Sequence, residues 1–177
     1  MKGELPNSHG KNGGGRISFL EDGERVYSEE LMRMRAKVLH SHEGQYINVI
    51  GDNQYIKLAG EETAGAYTLI EEINHPGVGV PLHVHENEDE TFHVVEGQVE
   101  FTLDGKPVTA GAGTTVYLPR RVPHAFKVVG QMPARVLVLL SPSGLERMFR
   151  ELAQLPPGPP DMGKVVAICA RYGVRFL

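Results

Sequence analysis

The stretch PLHVHENEDETFHVVEG, residues 81–97, sets two histidines one residue apart, follows them with acids, and then resumes apolar alternation up to a glycine. Alternate residues of a strand share a face, so His83 and His85 project together with Pro81, while Val80, Leu82 and Val84 project to the other side. Two imidazoles side by side suit a metal ion, and a carboxylate supplies the charge and hard oxygen that neutral imidazoles lack. The ENED turn leads into a second strand on which Glu90 shares a face with Phe92 and Val94, which makes Glu90 the natural third ligand. Glu86 and Glu88 read as solvated acids of the turn, with Glu88 the alternate to Glu90. A fourth candidate is His124 in GTTVYLPRRVPHAFKV, at the start of a strand shared with Phe126 and Val128; spacing alone leaves open whether this strand faces the first pair.

Such a site could bind a small enol, phenol or dicarbonyl substrate through oxygen. Glu90 would act as ligand and, on detaching, as general base. Phe92, Val94 and Phe126 share strand faces with the ligands and are the candidate pocket wall. Arg120, Arg121 and Tyr117 either meet a polar substrate group at the mouth or are solvated loop residues, the second being the simpler reading. His93 is out of phase with Glu90 and His75 sits in a turn, so both read as structural. The HSH at 40–42 repeats the spacing but follows a helix-like segment, where residues i and i+2 diverge, and carries no partner carboxylate.

These residues need a scaffold, and 177 residues allow one domain with extensions. A net charge of −4 and a pI near 6.1 draw the molecule to neither nucleic acid nor an anionic membrane, which leaves a small molecule as the expected partner. The single Cys169 excludes an intramolecular disulfide framework, and with no long apolar run or signal-like segment the expected location is cytoplasmic.

Between Tyr46 and Ser141 short alternating runs such as QYINVIG, AYTLIEEI, QVEFTLDG and ARVLVLLS are separated by turn signals, as in an all-β sandwich or barrel of antiparallel strands. Residues 1–42 read as an N-terminal arm. NSHGKNGGGR lacks the lysine and hydroxyl of a phosphate loop, and SEELMRMRAKVL (28–39) has the spacing of a short helix. Residues 43–141 form the expected barrel, and 142–177 a helical segment packed on it. There Ser143 and Glu146 have the form of a capping box ahead of Leu145, Met148, Phe149 and Leu152. Val165, Ile168, Cys169 and Tyr172 then make a second apolar stripe stopped by Gly173, which casts Cys169 as a packing residue rather than a reactive thiol.

Gly77, His83, His85, Glu90 and Gly97 match the first motif of the cupin superfamily without adjustment, and the chain resembles that superfamily. Its second motif is met by Gly113, Pro119 and His124, with Arg121 in place of its glycine and Val128 in place of its asparagine, which puts the local turn shape in question. Over residues 43–177, including SGLERMFRELAQLPPGPPD and ARYGVRF, the layout resembles small bacterial quercetin-dioxygenase-like cupins. The resemblance implies a jelly-roll barrel, commonly homodimeric, holding one divalent ion on His83, His85, Glu90 and His124. It also implies a dioxygenase acting on a flavonol-like substrate. A metal-dependent isomerase or epimerase and a non-catalytic binding cupin are the alternatives. Imidazole-rich mixed sites accept iron, nickel, cobalt, manganese, copper or zinc, so the ligand set does not select the ion.

Overall fold

The computed structural model describes residues 17–19, 25–27 and 35–177. The glycine-rich stretch and residues 28–34 of the expected helix lie outside them, and residues 35–39 of that helix have no helical structure. The chain divides into two units, residues 1–36 and 37–177. In the first, β1 (Ile17–Phe19) pairs antiparallel with β2 (Arg25–Tyr27), Ile17 opposite Tyr27.

The second unit is built on two antiparallel sheets. β3 (Gln45–Val49), β4 (Asp52–Leu58), β5 (Thr68–Asn74), β7 (Asp89–Glu96), β10 (Thr115–Leu118) and β12 (Ala134–Ser141) form one, in the order β10-β7-β12-β5-β4-β3. β6 (Gly79–His85), β8 (Gln98–Leu103), β9 (Lys106–Gly111), β11 (His124–Val129) and β13 (Val174–Phe176) form the other, in the order β13-β6-β11-β8-β9. Inward residues of both sheets, among them Ile70, Phe92, Val94, Phe101 and Leu140, share one hydrophobic core. The alternating burial along β12 shows why the sheet forms: every second residue leaves water, and Val136, Val138 and Leu140 each contribute about 1.5–3 kcal/mol. The expected antiparallel barrel with C-terminal helices is the architecture observed. Strand β9 and strand β13 were not anticipated from the sequence.

α1 (Leu145–Leu152) buries Leu145, Met148 and Leu152, and α2 (Met162–Arg171) buries Val165, Ile168 and Cys169, as their spacing predicts. The cap of α1 is different. Gly144, at φ 142°, occupies the N-cap, and Ser143 makes no capping bond. Glu146 turns back instead: its Oε2 accepts from the Gly144 N–H at 2.7 Å and from Thr68 Oγ1 at 2.6 Å, tying the helix start to β5. On α2 it is Asp161 that caps, accepting from the N–H groups of Gly163 and Lys164.

On the outer face of β5, Glu71 accepts from Lys57 Nζ at 2.7 Å, from Ser41 Oγ at 2.8 Å and from the His42 N–H at 2.9 Å. Lys57 also donates to the carbonyls of His40 and Glu43. This buried ion pair pins residues 40–43 onto the sheet, and it gives the HSH segment a structural role.

Candidate metal centre

β6 and β11 are neighbours, and their register sets His124 opposite His83. β7 lies in the other sheet with Glu90 opposite both Leu118 and Leu140, and its inward face brings the Glu90 carboxylate across to the imidazoles. His83, His85, Glu90 and His124 are all buried, and one ligand atom of each lies within 4.8 Å of the others. The strand left open by spacing alone therefore does face the first pair.

The imidazoles are aimed by the backbone. His83 Nδ1 lies 2.9 Å from the Pro81 carbonyl oxygen and His124 Nδ1 lies 2.9 Å from that of Val122, so each Nδ1 donates and each Nε2 faces inward. His83 Nε2 and His85 Nε2 approach to 2.9 Å, and His124 Nε2 lies 3.1 Å from Glu90 Oε2. His85 Nδ1 is buried without a hydrogen-bond partner among the described residues, none of which fixes the tautomer of that ring. Converging electron-rich nitrogens beside a buried carboxylate, with two of three outer nitrogens already committed as donors, fit a divalent cation.

Electrostatics point the same way. Burial lowers the pKa of His83 to about 4, against the pull of Glu90, and burial lowers that of His85 as well. Burial pushes the Glu90 carboxyl up, but the His124 hydrogen bond and the adjoining imidazoles outweigh it and the net shift is downward. Burial disfavours a charged His124, yet its hydrogen bond to Glu90 and that group's charge win and its pKa rises. Two neutral imidazoles, an ionised carboxylate and one imidazole that can exchange a proton for a cation result.

The site opens into a cavity of about 380 Å³ between the sheets. Val80, Pro81 and Phe126 line it beside the histidines, and Met148, Phe149, Leu152, Met162, Val165 and Cys169 close it from the helices. The helices thus form a cavity wall as well as a cover. Of the expected pocket residues only Phe126 lines this cavity. Phe92 and Val94 are fully buried in the core, where the Phe92 ring packs 5.1 Å from Phe101 and 5.0 Å from Phe126. They share the inward face of Glu90 but lie roughly 7 and 13 Å further along the strand.

Val80 was expected to face away from the histidines. A bulge in β6 reverses the phase, because Phe126 pairs with Val80 while His124 pairs with His83. Glu88 was expected to be solvated and is buried, with Oε2 unpartnered and a pKa raised to about 7, chiefly by burial; it is not in the ligand cluster. Glu86 is partly exposed and pairs with Arg121 and Arg175. Arg120 makes a two-pronged contact to Asp89, Tyr117 is exposed, and neither they nor Arg121 line the cavity. Arg121, at the position of the motif's glycine, has φ 67°, so the left-handed turn survives with an arginine in it. His93 is exposed and contacts Thr115 Oγ1, and His75 is exposed in its turn. Cys169 is buried on the cavity wall, and burial raises its thiol pKa, consistent with packing.

Sequence reading missed a polar group on the same cavity. Asp52, Gln54 and Glu72 line it, and Asn74 adjoins them, all on the inward faces of β4 and β5. Gln54 Nε2 donates to Asp52 Oδ2 at 2.7 Å, and Asn74 Nδ2 donates to Asp52 Oδ1 at 2.5 Å. Burial, with Asp52 and Glu90 nearby, pushes the Glu72 carboxyl well above its ordinary value; burial raises Asp52 too, against its two hydrogen bonds. The available signal was the alternation of DNQYIKL and TLIEEIN.

A family model described as a cupin domain matches residues 70–140. Quercetin 2,3-dioxygenase of Bacillus subtilis (strain 168) is 29% identical over 168 residues, covering 90% of this chain and 48% of that protein. The chain spans about half the length of the curated relatives it matches. Among solved structures, KdgF from Halomonas sp. superposes with a TM-score of 0.56 at 20% identity, covering 64% of this chain and 99% of that one. The polyketide cyclase RemF from Streptomyces resistomycificus gives a TM-score of 0.52 at 22% identity, covering 61% and 80%. These two likenesses are of fold, and one such barrel serves different chemistries.

Proposed function

We propose that this chain, a cupin by the match of its residues 70–140 to the cupin-domain family model, is a metal-dependent dioxygenase for a small enol- or phenol-bearing, flavonol-like substrate. The observation that carries this reading is the convergence of His83, His85, Glu90 and His124 at a cavity with apolar walls. A divalent ion on these residues would supply Lewis acidity toward a substrate oxygen and, in a six-coordinate ion, two positions beyond the four protein ligands. The likeness to quercetin 2,3-dioxygenase over most of this chain supports flavonol-like chemistry.

The protein's own residues have separable roles. The carbonyls of Pro81 and Val122 orient His83 and His124. Glu90 is held ionised; it would be one of the residues holding the ion, and its carboxylate would take the proton of an enol or phenol. Phe126, Val80 and the helix residues exclude water from the bound molecule. A second reading, a metal-dependent isomerase or epimerase, is favoured by Glu72, a cavity carboxyl whose raised pKa lets it carry a proton.

Elemental analysis of untagged protein beside a His83→Ala, His85→Ala variant, followed by oxygen uptake with quercetin, tests the proposal. About one ion per chain, lost in the variant, and oxygen consumption stoichiometric with quercetin loss are expected. Turnover without oxygen would favour the isomerase, and two preparations equally empty after metal repletion would defeat the metal reading.

A further inference from the structure

We propose that Glu72 is a second contact point for the substrate, which takes a hydroxyl group on the part of the molecule remote from the oxygens held at the metal centre. This inference rests on the reading of the chain as a metal-dependent cupin with flavonol-like substrates. It identifies the substrate class as one with apolar rings and hydroxyls at both ends.

The polar group on β4 and β5 has most of its hydrogen bonds closed and one that is not. Asp52 has both oxygens engaged, one by Gln54 and one by Asn74, and the Asn74 carbonyl oxygen accepts from the Asn53 N–H at 2.8 Å. These groups satisfy each other and form a frame. Glu72, only 5% exposed, is tied to that frame by a single long contact, 3.5 Å from Gln54 Nε2 to Glu72 Oε1. The neighbouring Gln54 Oε1, in a side chain only 2% exposed, has no partner among the described residues. Buried polar groups are nearly always hydrogen-bonded, and an under-satisfied carboxyl on a cavity wall calls for a ligand group.

Position supplies the rest. Glu72 and Gln54 are cross-strand neighbours on β5 and β4, and both line the cavity that His83 and His85 of the other sheet and Glu90 of their own sheet also line. The rest of the lining is largely apolar and includes Val80, Phe126, Phe149 and Leu152. A molecule chelated at one wall through an enol or phenol oxygen presents its far end to Glu72. A carboxyl accepts from a hydroxyl there and, when protonated, also donates to it.

The test is anaerobic binding calorimetry with the metal-reconstituted full chain, using quercetin and the parent flavonol. The parent compound keeps the chelating hydroxy-ketone pair and lacks the other hydroxyls. The wild type is expected to bind quercetin about tenfold more tightly, as one added hydrogen bond allows. Glu72→Leu is expected to erase that preference while leaving parent flavonol affinity unchanged, and Glu72→Gln to retain most of it. A wild type that binds both compounds equally overturns the inference without any variant and leaves the proposed function standing. Equal weakening of both ligands by Glu72→Leu, with unaltered thermal unfolding, also overturns it, because Glu72 would then only shape the cavity. If the metal-loaded wild type binds neither compound, the flavonol reading fails and the inference falls with it.

Discussion

Ion binding at the candidate centre should be visible as stability and as protons. His124 and Glu90 satisfy each other at 3.1 Å, whereas His83 and His85 bring two nitrogens to 2.9 Å and His85 Nδ1 has no partner among the described residues. A cation that binds only the folded chain stabilises it by about 2.7 kcal/mol at 100 times its dissociation constant, which for a chain of this size means a rise of about 5–11 °C in Tm. The protons follow from the pKa directions. At pH 6 His83, with a pKa lowered to about 4, and Glu90, with a lowered pKa, are ready to bind, whereas His124, with a raised pKa, must first give up its proton. About one proton per ion should be released at pH 6, and progressively less as pH rises through the His124 pKa. Thermal unfolding of chelator-treated and metal-repleted protein gives the first quantity, and titration calorimetry in buffers of different ionisation enthalpy gives the second. An unchanged Tm at saturating ion, or an equal rise in the His83→Ala, His85→Ala variant, would refute the reasoning.

The outer-face carboxyl Glu71 should make the fold acid-sensitive. Burial alone would raise its pKa, but the Lys57, His42 and Ser41 contacts lower it from 4.5 to about 2, a difference of about 3 kcal/mol. That contribution is complete above pH 4.5 and is lost as pH falls toward 2, so urea midpoints of wild type and Glu71→Gln should converge over this interval; a constant gap would exclude the ion pair as the cause. At Gly97, with φ 79°, an added Cβ would lie 2.6 Å from Ala134 Cα and 2.7 Å from the Pro133 carbonyl oxygen. Gly97→Ala should therefore cost about 2–4 kcal/mol in denaturant unfolding, and a loss below half a kcal/mol would contradict the described packing. Arg121→Gly should raise stability by about 0.5–1 kcal/mol, since relief of left-handed strain exceeds the added backbone entropy and the exposed Glu86 pair contributes little. A lower Tm in that variant would show that the arginine side chain, not the turn, is what the position needs.

The clustering of the candidate ligands was legible because strand alternation fixes which side chains share a face, and His83, His85 and Glu90 lie within one hairpin. His124 required more, since register between strands distant in sequence is not written in either strand alone. Depth along a strand was also invisible, which is why Phe92 and Val94 were assigned to the pocket although they belong to the core. The Val80 error has a local cause, an extra residue in β6 that no turn signal announces. Glu71 and Glu72 are adjacent acids with opposite fates, one ion-paired on the outer face and one inside the cavity. Only knowledge of which face of β5 is buried separates them. Ser143 had the right type and spacing for a cap, but Thr68 and Gly60 drew Glu146 into contacts that the linear sequence does not pair.

Strand β13 closes the outer edge of β6, setting Val174 opposite His85 and Phe176 opposite His83, with the Leu177 N–H donating to the Leu82 carbonyl. Roughly 90 residues separate these partners, which at about 5–20 residues per second takes about 5–20 s of ribosomal synthesis. Through that interval the strand bearing two of the candidate ligands can already pair with later strands on one side while its other edge lacks a neighbour. An open edge of this kind invites pairing with a second nascent chain. The short segment around Val174 thus matters for more than the finished barrel: its arrival ends the period in which the strand carrying His83 and His85 is exposed to misassembly.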